Sequence, residues 1–417
     1  MPVIPFKRRG LYLAVLLCGI SLPAASLGLT LAEAEQRALA RNPNLSAASA
    51  AAEAAEGEAQ QAGLLPNPEL NFNRENLGND KLTGLDGPTS TWQLSQRLEL
   101  TGGRSARRDS AQGDAEAARL RAGQEQSLLL AEVRSGWVDV LAAQQRVAFA
   151  EELSQVVSST RDAVATQVRA GKVSPVELTR VEVAAAALQR REQRARLTLV
   201  AARQKLATLQ GLRTPDFGAL PEELPPVQPL PPAEALSQAL TRNPALKEAE
   251  AQTQAREAGL RAARAGRLPS VTLSVGQTQF EDAGESAWQM GIGLPLPLFD
   301  RNQGATHAAE ARLREAEARQ EATAQGLQAE LESLYPQVQG LEQQLTAFEK
   351  TVLPASEEAF EAVNKGYRFG KFGLLDVLDA QRALIDTRFD YLDTLTDYHR
   401  QRNRLDALMG LAQENSQ

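Results

Sequence analysis

The sequence predicts a mainly α-helical chain with a small β part, built as a tandem duplication of one unit containing a long helical hairpin. Three observations carry this prediction. The 417 residues are 43% hydrophobic but only 5% aromatic, and much of the apolar share is alanine, a composition of long packed helices rather than bulky cores. A proline-free stretch runs from Arg104 to Gly171, with Leu130, Val133, Trp137, Val140 and Val147 on a helical rhythm. Short strings also recur in one order at an offset of about 200 residues.

Composition excludes several classes. A net charge of −7 and a pI near 5.3 argue against a nucleic-acid partner. Two histidines and one cysteine leave no His/Cys metal site, which needs three or four ligands. Mean hydropathy is −0.33, and beyond residue 28 nothing approaches the roughly 18 apolar residues of a spanning helix. No nucleophile motif, phosphate loop or paired catalytic carboxylates are found, so neither an enzyme nor a cofactor is expected.

Residues 1–28 carry Lys7-Arg8-Arg9, an apolar run from Leu11 to Leu22 and the small-residue zone Pro23-Ala24-Ala25-Ser26, the layout of a secretory signal peptide. The only cysteine, Cys18, follows Leu16-Leu17 rather than the small residues a lipidation signal needs. Cleavage after it leaves a thiol-free mature chain suited to an oxidising compartment.

The first repeat is expected over 29–219 and the second over 233–411, joined by a Pro-rich linker at 220–232 and followed by a tail at 412–417. Arg41-Asn42-Pro43 recurs as Arg242-Asn243-Pro244, Leu65-Pro66 as Leu268-Pro269, and Gly171-Lys172 as Gly370-Lys371. Leu206 to Leu212 likewise recurs as Leu405 to Leu411. Each repeat opens with a helical stretch, about 31–63 and 234–266, the first with the capping-box spacing Thr30/Glu33. Two short alternating segments follow. Trp92, Leu94, Leu98 and Leu100 share one face in the first repeat, as do Trp288, Met290, Ile292, Leu294, Leu296 and Leu298 in the second. A long helix then spans roughly 66 residues, about 100 Å, before a turn and a returning helix. Pro336 and Pro354 are expected to kink the second long helix.

These four strands have an apolar face and nothing obvious to cover it. In a membrane, open strand edges are not tolerated, and about eight strands are the practical minimum for a barrel. The strands must therefore close through oligomerisation, as a dimer, trimer or tetramer, unless they are soluble hairpins capping a coiled coil.

The chain resembles the TolC family of outer-membrane efflux ducts over essentially its whole mature length. The duplication, the hairpin-then-long-helix order and the turn Tyr367-Arg-Phe-Gly370-Lys-Phe-Gly373-Leu-Leu-Asp376-Val-Leu-Asp379-Ala380 carry the likeness. Pro66-Asn67-Pro68-Glu69-Leu70 and Gln96-Arg97-Leu98-Glu99-Leu100-Thr101-Gly102-Gly103-Arg104 are more similar to the heavy-metal (cobalt–zinc–cadmium, CzcC-like) branch. The resemblance implies a homotrimer whose twelve strands form one barrel in outer-membrane lipid, with a periplasmic helical tunnel. Implied partners are a periplasmic adaptor protein and an inner-membrane RND-type (resistance-nodulation-division) efflux pump. Heavy-metal cations are the implied cargo.

The resemblance also implies a periplasmic gate at Asp376 and Asp379, which share one helix face. The first-repeat counterparts, about 200 residues earlier, are Glu177 and Arg180. Phe372 stands where the family carries a basic partner, so an Arg180–Asp379 or Lys371–Glu177 latch is expected instead. The turns at Gly171-Lys172 and Gly370-Lys371 are the expected adaptor-docking tips. Trp92, Leu94, Trp288, Met290 and Ile292 are expected to face the membrane. A drug or type I secretion duct is the near alternative. A periplasmic adaptor is the more distant one, since adaptors normally carry one helical hairpin rather than two.

Overall fold

The computed structural model describes residues 29–77, 83–221 and 223–410. The expected signal segment 1–28, Cys18 within it, and the tail 412–417 lie outside the described residues.

The first repeat contains α1 (Leu31–Arg41), α2 (Pro43–Ala62), β1 (Glu69–Glu75), β2 (Thr89–Leu98), α3 (Gly103–Arg169) and α4 (Pro175–Leu209). The second contains α5 (Ala233–Leu240), α6 (Pro244–Ala265), β3 (Val271–Phe280), β4 (Glu285–Gly293), α7 (Gln303–Ala347), α8 (Leu353–Arg368) and α9 (Leu374–Leu408). At 67 residues, α3 is a rod of about 100 Å. Its partner α4 has 35 residues, and α2 and α6 pack on the α3 segment that α4 does not reach.

Three expected elements are corrected. The opening helix of each repeat is not continuous: Asn42 and Asn243 are extended (ψ 122° and 130°) because the following proline bars the helical conformation. Pro336 does not interrupt α7; the break is a π-helical turn at Phe348–Val352, immediately before Pro354. The apolar alternation continuing to Leu298 is not strand throughout. Pro295 and Pro297 have no N–H to donate, and β4 ends at Gly293.

Each Asn-Pro break is a two-sided bracket. The Asn42 Oδ1 accepts from the amides of Asn44 (2.9 Å) and Leu45 (3.3 Å), capping α2. Its Nδ2 donates to the Leu209 carbonyl at 3.0 Å, the end of α4. Asn243 repeats this: Oδ1 accepts from Ala245 N–H at 2.8 Å, and Nδ2 donates to the Leu408 carbonyl at 2.6 Å. Gly211, with φ 74°, ends α4 in the left-handed conformation; a Cβ there would lie 2.5 Å from the Arg41 carbonyl oxygen.

Two apolar cores flank these brackets. One joins α1, α3 and α4 around Trp137, Val140 and Leu206; the other joins α5, α7 and α9 around Leu334, Leu345 and Tyr398. A third, with Phe149, Val164, Val181, Leu374 and Ile385, brings both repeats together toward the far end of the hairpins. Between cores, the α3–α9 seam is polar. Buried Asp139 accepts from Arg400 of α9 (2.7 Å) and also from Lys205 of α4 (3.2 Å), Arg146 pairs with Asp393, and Asn403 donates to Ser135 at 3.3 Å. The linker is strapped down as well. Gln144 exchanges hydrogen bonds with the Leu220 backbone, the Tyr398 hydroxyl bonds Gln228, and His399 Nε2 lies 2.9 Å from the Pro225 carbonyl oxygen.

Two outcomes follow from this packing. Asn42→Ala and Asn243→Ala remove a cap and a bond to a helix end together, and each should cost about 1–3 kcal/mol, read as a lowered thermal midpoint of the purified protein. His399 is held below the usual imidazole pKa by burial, partly offset by the Pro225 carbonyl. The unfolded chain therefore takes up a proton first. Stability should be complete above about pH 6.5 and decline as pH falls below it, and His399→Gln should flatten that decline in denaturation curves between about pH 5 and 7.

Candidate functional site: an amphipathic sheet and a helical tip

The strands form one antiparallel sheet in the order β1-β2-β3-β4. Its register aligns Phe72, Trp92, Gln277 and Trp288 in one row, and Leu70, Leu94, Val275 and Met290 in the next. Gln96, Leu273 and Ile292 form a third row, with Leu98 and Val271 beyond. Period-2 geometry puts all these rows on one face. Trp92, Leu94, Trp288, Met290 and Ile292 are thus brought together, at exposures from 47% (Leu94) to 88% (Met290). Phe72 and Trp92 touch, with ring centroids 4.5 Å apart. The opposite face carries Asn71, Asn73, Gln93, Ser95, Thr278 and Gln289, with Gly276 and Gly291. The outer sides of β1 and β4 have no strand neighbour among the described residues.

The two hairpin turns lie at the opposite end of the long helices. α3 ends in a Schellman motif, in which the Lys172 N–H donates to the Gln167 carbonyl (2.9 Å) and the Gly171 N–H to that of Val168 (2.9 Å), with Gly171 at φ 67°. α8 ends identically, through Lys371 to Gly366 (2.8 Å) and Gly370 to Tyr367 (2.9 Å), with Gly370 at φ 72°. Phe372 folds back over Gly366, where a Cβ would meet its ring at 2.3 Å. Phe369, at 72% exposure, points away from any core.

Beside these turns, Val173, Ser174, Glu177, Tyr367, Leu375 and Asp376 line a cavity of about 510 Å³. Asp376 is engaged locally, since its Oδ2 accepts from the Gly373 N–H at 2.8 Å and caps α9. Asp379 lies one turn further along α9, on a groove of about 610 Å³ shared with Arg180, Arg191 and Arg382. Neither expected latch pair forms within the chain among the described residues. Arg180 lies 3.5 Å from Glu177, one turn away on its own helix, so local i,i+3 geometry takes the charge the latch would use. Glu177 Oε2 is buried without a hydrogen-bond partner.

Sequence reasoning missed several members of this region. Tyr367 is one: burial and the nearby Glu177 charge push its hydroxyl pKa up. The amide of Gln381 is buried in the groove with an unpartnered Nε2. Asp386 is the actual ionic link between α4 and α9, 2.8 Å from Arg191. Tyr367 stands in the turn motif itself and was within reach. Gln381 and Asp386 lie two and seven residues past Asp379, and only the helix pairing shows that the first is buried and the second bridges to α4.

Among the described residues, no helix is long and apolar enough to cross a membrane, and no cluster of His, Cys, Asp or Glu is arranged to hold a metal ion. The sheet presents an exposed apolar face built from Trp92, Leu94, Trp288, Met290 and Ile292.

Comparison with known proteins fits this geometry. The chain is 34% identical to the cobalt-zinc-cadmium resistance protein CzcC of Cupriavidus metallidurans, over 92% of this chain and 90% of that one. It is 28% identical to the nickel-cobalt-cadmium resistance protein NccC of Alcaligenes xylosoxydans xylosoxydans, over 68% of this chain and 64% of that one. A crystal structure of CusC, described in terms of transmembrane channel formation, superposes with a TM-score of 0.79 at 21% identity, covering 92% of each chain, and supports the fold. The family model described as "Outer membrane efflux protein" matches residues 34–212 and 235–411, so both repeats are covered and the chain belongs to the outer membrane efflux protein family.

Proposed function

We propose that three copies of this chain form a passive duct through the outer membrane, exporting heavy-metal cations delivered by an inner-membrane RND-type pump through a periplasmic adaptor. The observation that carries the reading is the four-stranded sheet with one apolar face, one polar face and two open edges. Unpaired backbone groups in hydrocarbon cost several kcal/mol each, so the edges need partner strands. Three copies supply twelve strands, above the minimum for closure. The polar face then lines the lumen, and the helical hairpins continue it into the periplasm. Cobalt, zinc and cadmium are suggested by the 34% identical relative. Lys7-Arg8-Arg9 and the apolar run after them act as the export signal, and the two repeats, 29–219 and 233–411, each contribute one hairpin of strands and one of helices.

In this reading the turns at Gly171-Lys172 and Gly370-Lys371 are the tips that meet the adaptor. Asp376, Asp379, Glu177 and Arg180 surround the periplasmic entrance, where threefold symmetry multiplies each carboxylate into a ring that concentrates cations. The two aspartates do different work. Asp376 is committed to the cap of α9, whereas Asp379 has no ion-pair partner within the chain among the described residues.

Reconstitution of the purified protein in a planar bilayer tests this. A cation-selective pore is expected, with Asp379→Asn reducing selectivity in a KCl gradient while leaving the thermal midpoint unchanged. Asp376→Ala is expected to reduce selectivity and also lower stability by about 0.5–2 kcal/mol, the cost of a lost cap. Protein that fractionates as soluble and never conducts would point to an adaptor or scaffold.

A further inference from the structure

The apolar face of the sheet is too short for the membrane it is read as crossing. On β2, the apolar rows run from Trp92 to Leu98, about 20 Å along the strand at ~3.4 Å per residue. A strand tilt of about 35–45° reduces this to roughly 15 Å along the membrane normal, against an apolar band of about 25 Å in outer-membrane barrels. The band cannot grow past Trp92. The next row on that face is Arg74, Ser90, Gln279 and Ser286, and Glu75, Asp86, Glu281, Asp282 and Glu285 crowd the loop end. Leu77 and Leu85 are exposed there, but singly among those charges.

At the other end, every helix–strand junction exposes large apolar side chains. Leu64 and Leu65 precede β1, Leu100 follows β2, Leu268 precedes β3, and the uncharged run 294–299 follows β4 with Leu296 at 72% and Phe299 at 91% exposure. Leu65-Pro66 and Leu268-Pro269 are among the few strings the two repeats retain, and both leucines are exposed, at 59% and 61%. A shared buried leucine would reflect packing; a shared exposed one calls for a partner at the same place in each half. Pro295 and Pro297 have no N–H to give a ladder, and the Leu298 N–H turns back to the Leu296 carbonyl at 2.9 Å, so the run after β4 leaves the sheet with its side chains exposed.

We propose that this junction collar completes the membrane belt, and that its occupant is the acyl region of phospholipid in the periplasmic leaflet. The inference rests on the barrel reading under Proposed function. The collar is continuous with the lipid-facing rows through Ile292 and Leu98, and it supplies the roughly 10 Å the sheet lacks. Phe72, Trp92 and Trp288 form the outer aromatic girdle, and Phe299 forms the inner one, the two-girdle pattern of membrane barrels. The first turns of the long helices therefore begin at the headgroup level, so the tunnel wall starts within the membrane interface.

Depth-dependent quenching of tryptophan emission tests the collar in the full-length protein, reconstituted in phosphatidylcholine bilayers with brominated acyl chains. Phe299→Trp is placed in a background of Trp92→Phe and Trp288→Phe; the remaining Trp137 is 1% exposed inside a helical core and supplies a constant signal. The added emission should be largely lost in brominated lipid and retained in unbrominated lipid, while Phe369→Trp at the tip keeps its emission in both. Leu296→Trp is the second probe should the first fail to assemble. If both collar probes escape quenching while the natural Trp92 and Trp288 are quenched, the collar proposal is overturned and the barrel reading stands. If Trp92 and Trp288 also escape, the barrel reading fails and takes the collar with it.

Discussion

Leu209 and Leu408 are the last residues of their helices, and in each repeat an asparagine side chain donates to the carbonyl oxygen there. Asn42 and Asn243 are buried, and each uses both ends of its amide, one to start a helix and one to finish another. This bracket fixes where the two short helices of a repeat meet the long hairpin. Without it, α2 and α6 would have no fixed start, and the strands they lead into would have no defined height relative to the hairpin tips. A proline after each asparagine makes the break obligatory, because the extended conformation it enforces is also the one a capping residue needs.

From that bracket outward the protein divides its interactions by type. Within a repeat, contacts are apolar and close-packed, around Trp137 in one half and Tyr398 in the other. Between repeats, along α3 and α9, they are ionic over the middle of the rods and apolar only near the hairpin ends. Asp139 is the most committed member, buried and held by two cations from different helices; removing either cation would leave a buried charge poorly compensated. Arg388 extends the ionic seam toward the tip, with its guanidinium 4.5 Å from the centre of the Phe149 ring and also bound to Glu357. Along α3 and α9 the two repeats are thus joined by ionic contacts over the middle of the rods and by apolar burial toward the tip, while α6 packs closely on α3 where Gly113 meets Ala255.

The sheet is the counterpart of this division. It gains little from burial within one chain, since its apolar face is exposed and the outer sides of β1 and β4 have no strand neighbour among the described residues. In a protein that ended at its own surface, such a sheet would be an aggregation site. In the proposed duct the requirement for partners is part of the design: the two faces that make the isolated sheet unfavourable would give one side to lipid and the other to water.

Much of this was legible in the sequence because periodicity is local. The 3–4 rhythm of α3, the absence of proline over its length and the alternation of β2 and β4 report the dihedral pattern of each segment directly. The duplication reported the order of elements, and Gly171 and Gly370 reported helix ends because a left-handed residue there favours glycine. The expected continuity of 31–63 and 234–266 failed because propensity was read over the whole stretch while one pre-proline residue decided the matter. The expected strand to Leu298 failed because alternation reports a face, whereas a ladder also needs N–H groups. At the tip, the sequence placed Glu177, Arg180, Asp376 and Asp379 near one another but not their partners. Arg180 lies on Glu177, Asp376 caps its own helix, and the ionic link across the helices belongs to Arg191 and Asp386. What the sequence determined alone is the type and the polar or apolar face of most elements and the uninterrupted length of α3, all set within a few residues of chain. Which charges meet was decided only by the tertiary structure, because it depends on the relative height of helices whose residues are up to about 260 positions apart in the chain, as in Asp139 and Arg400.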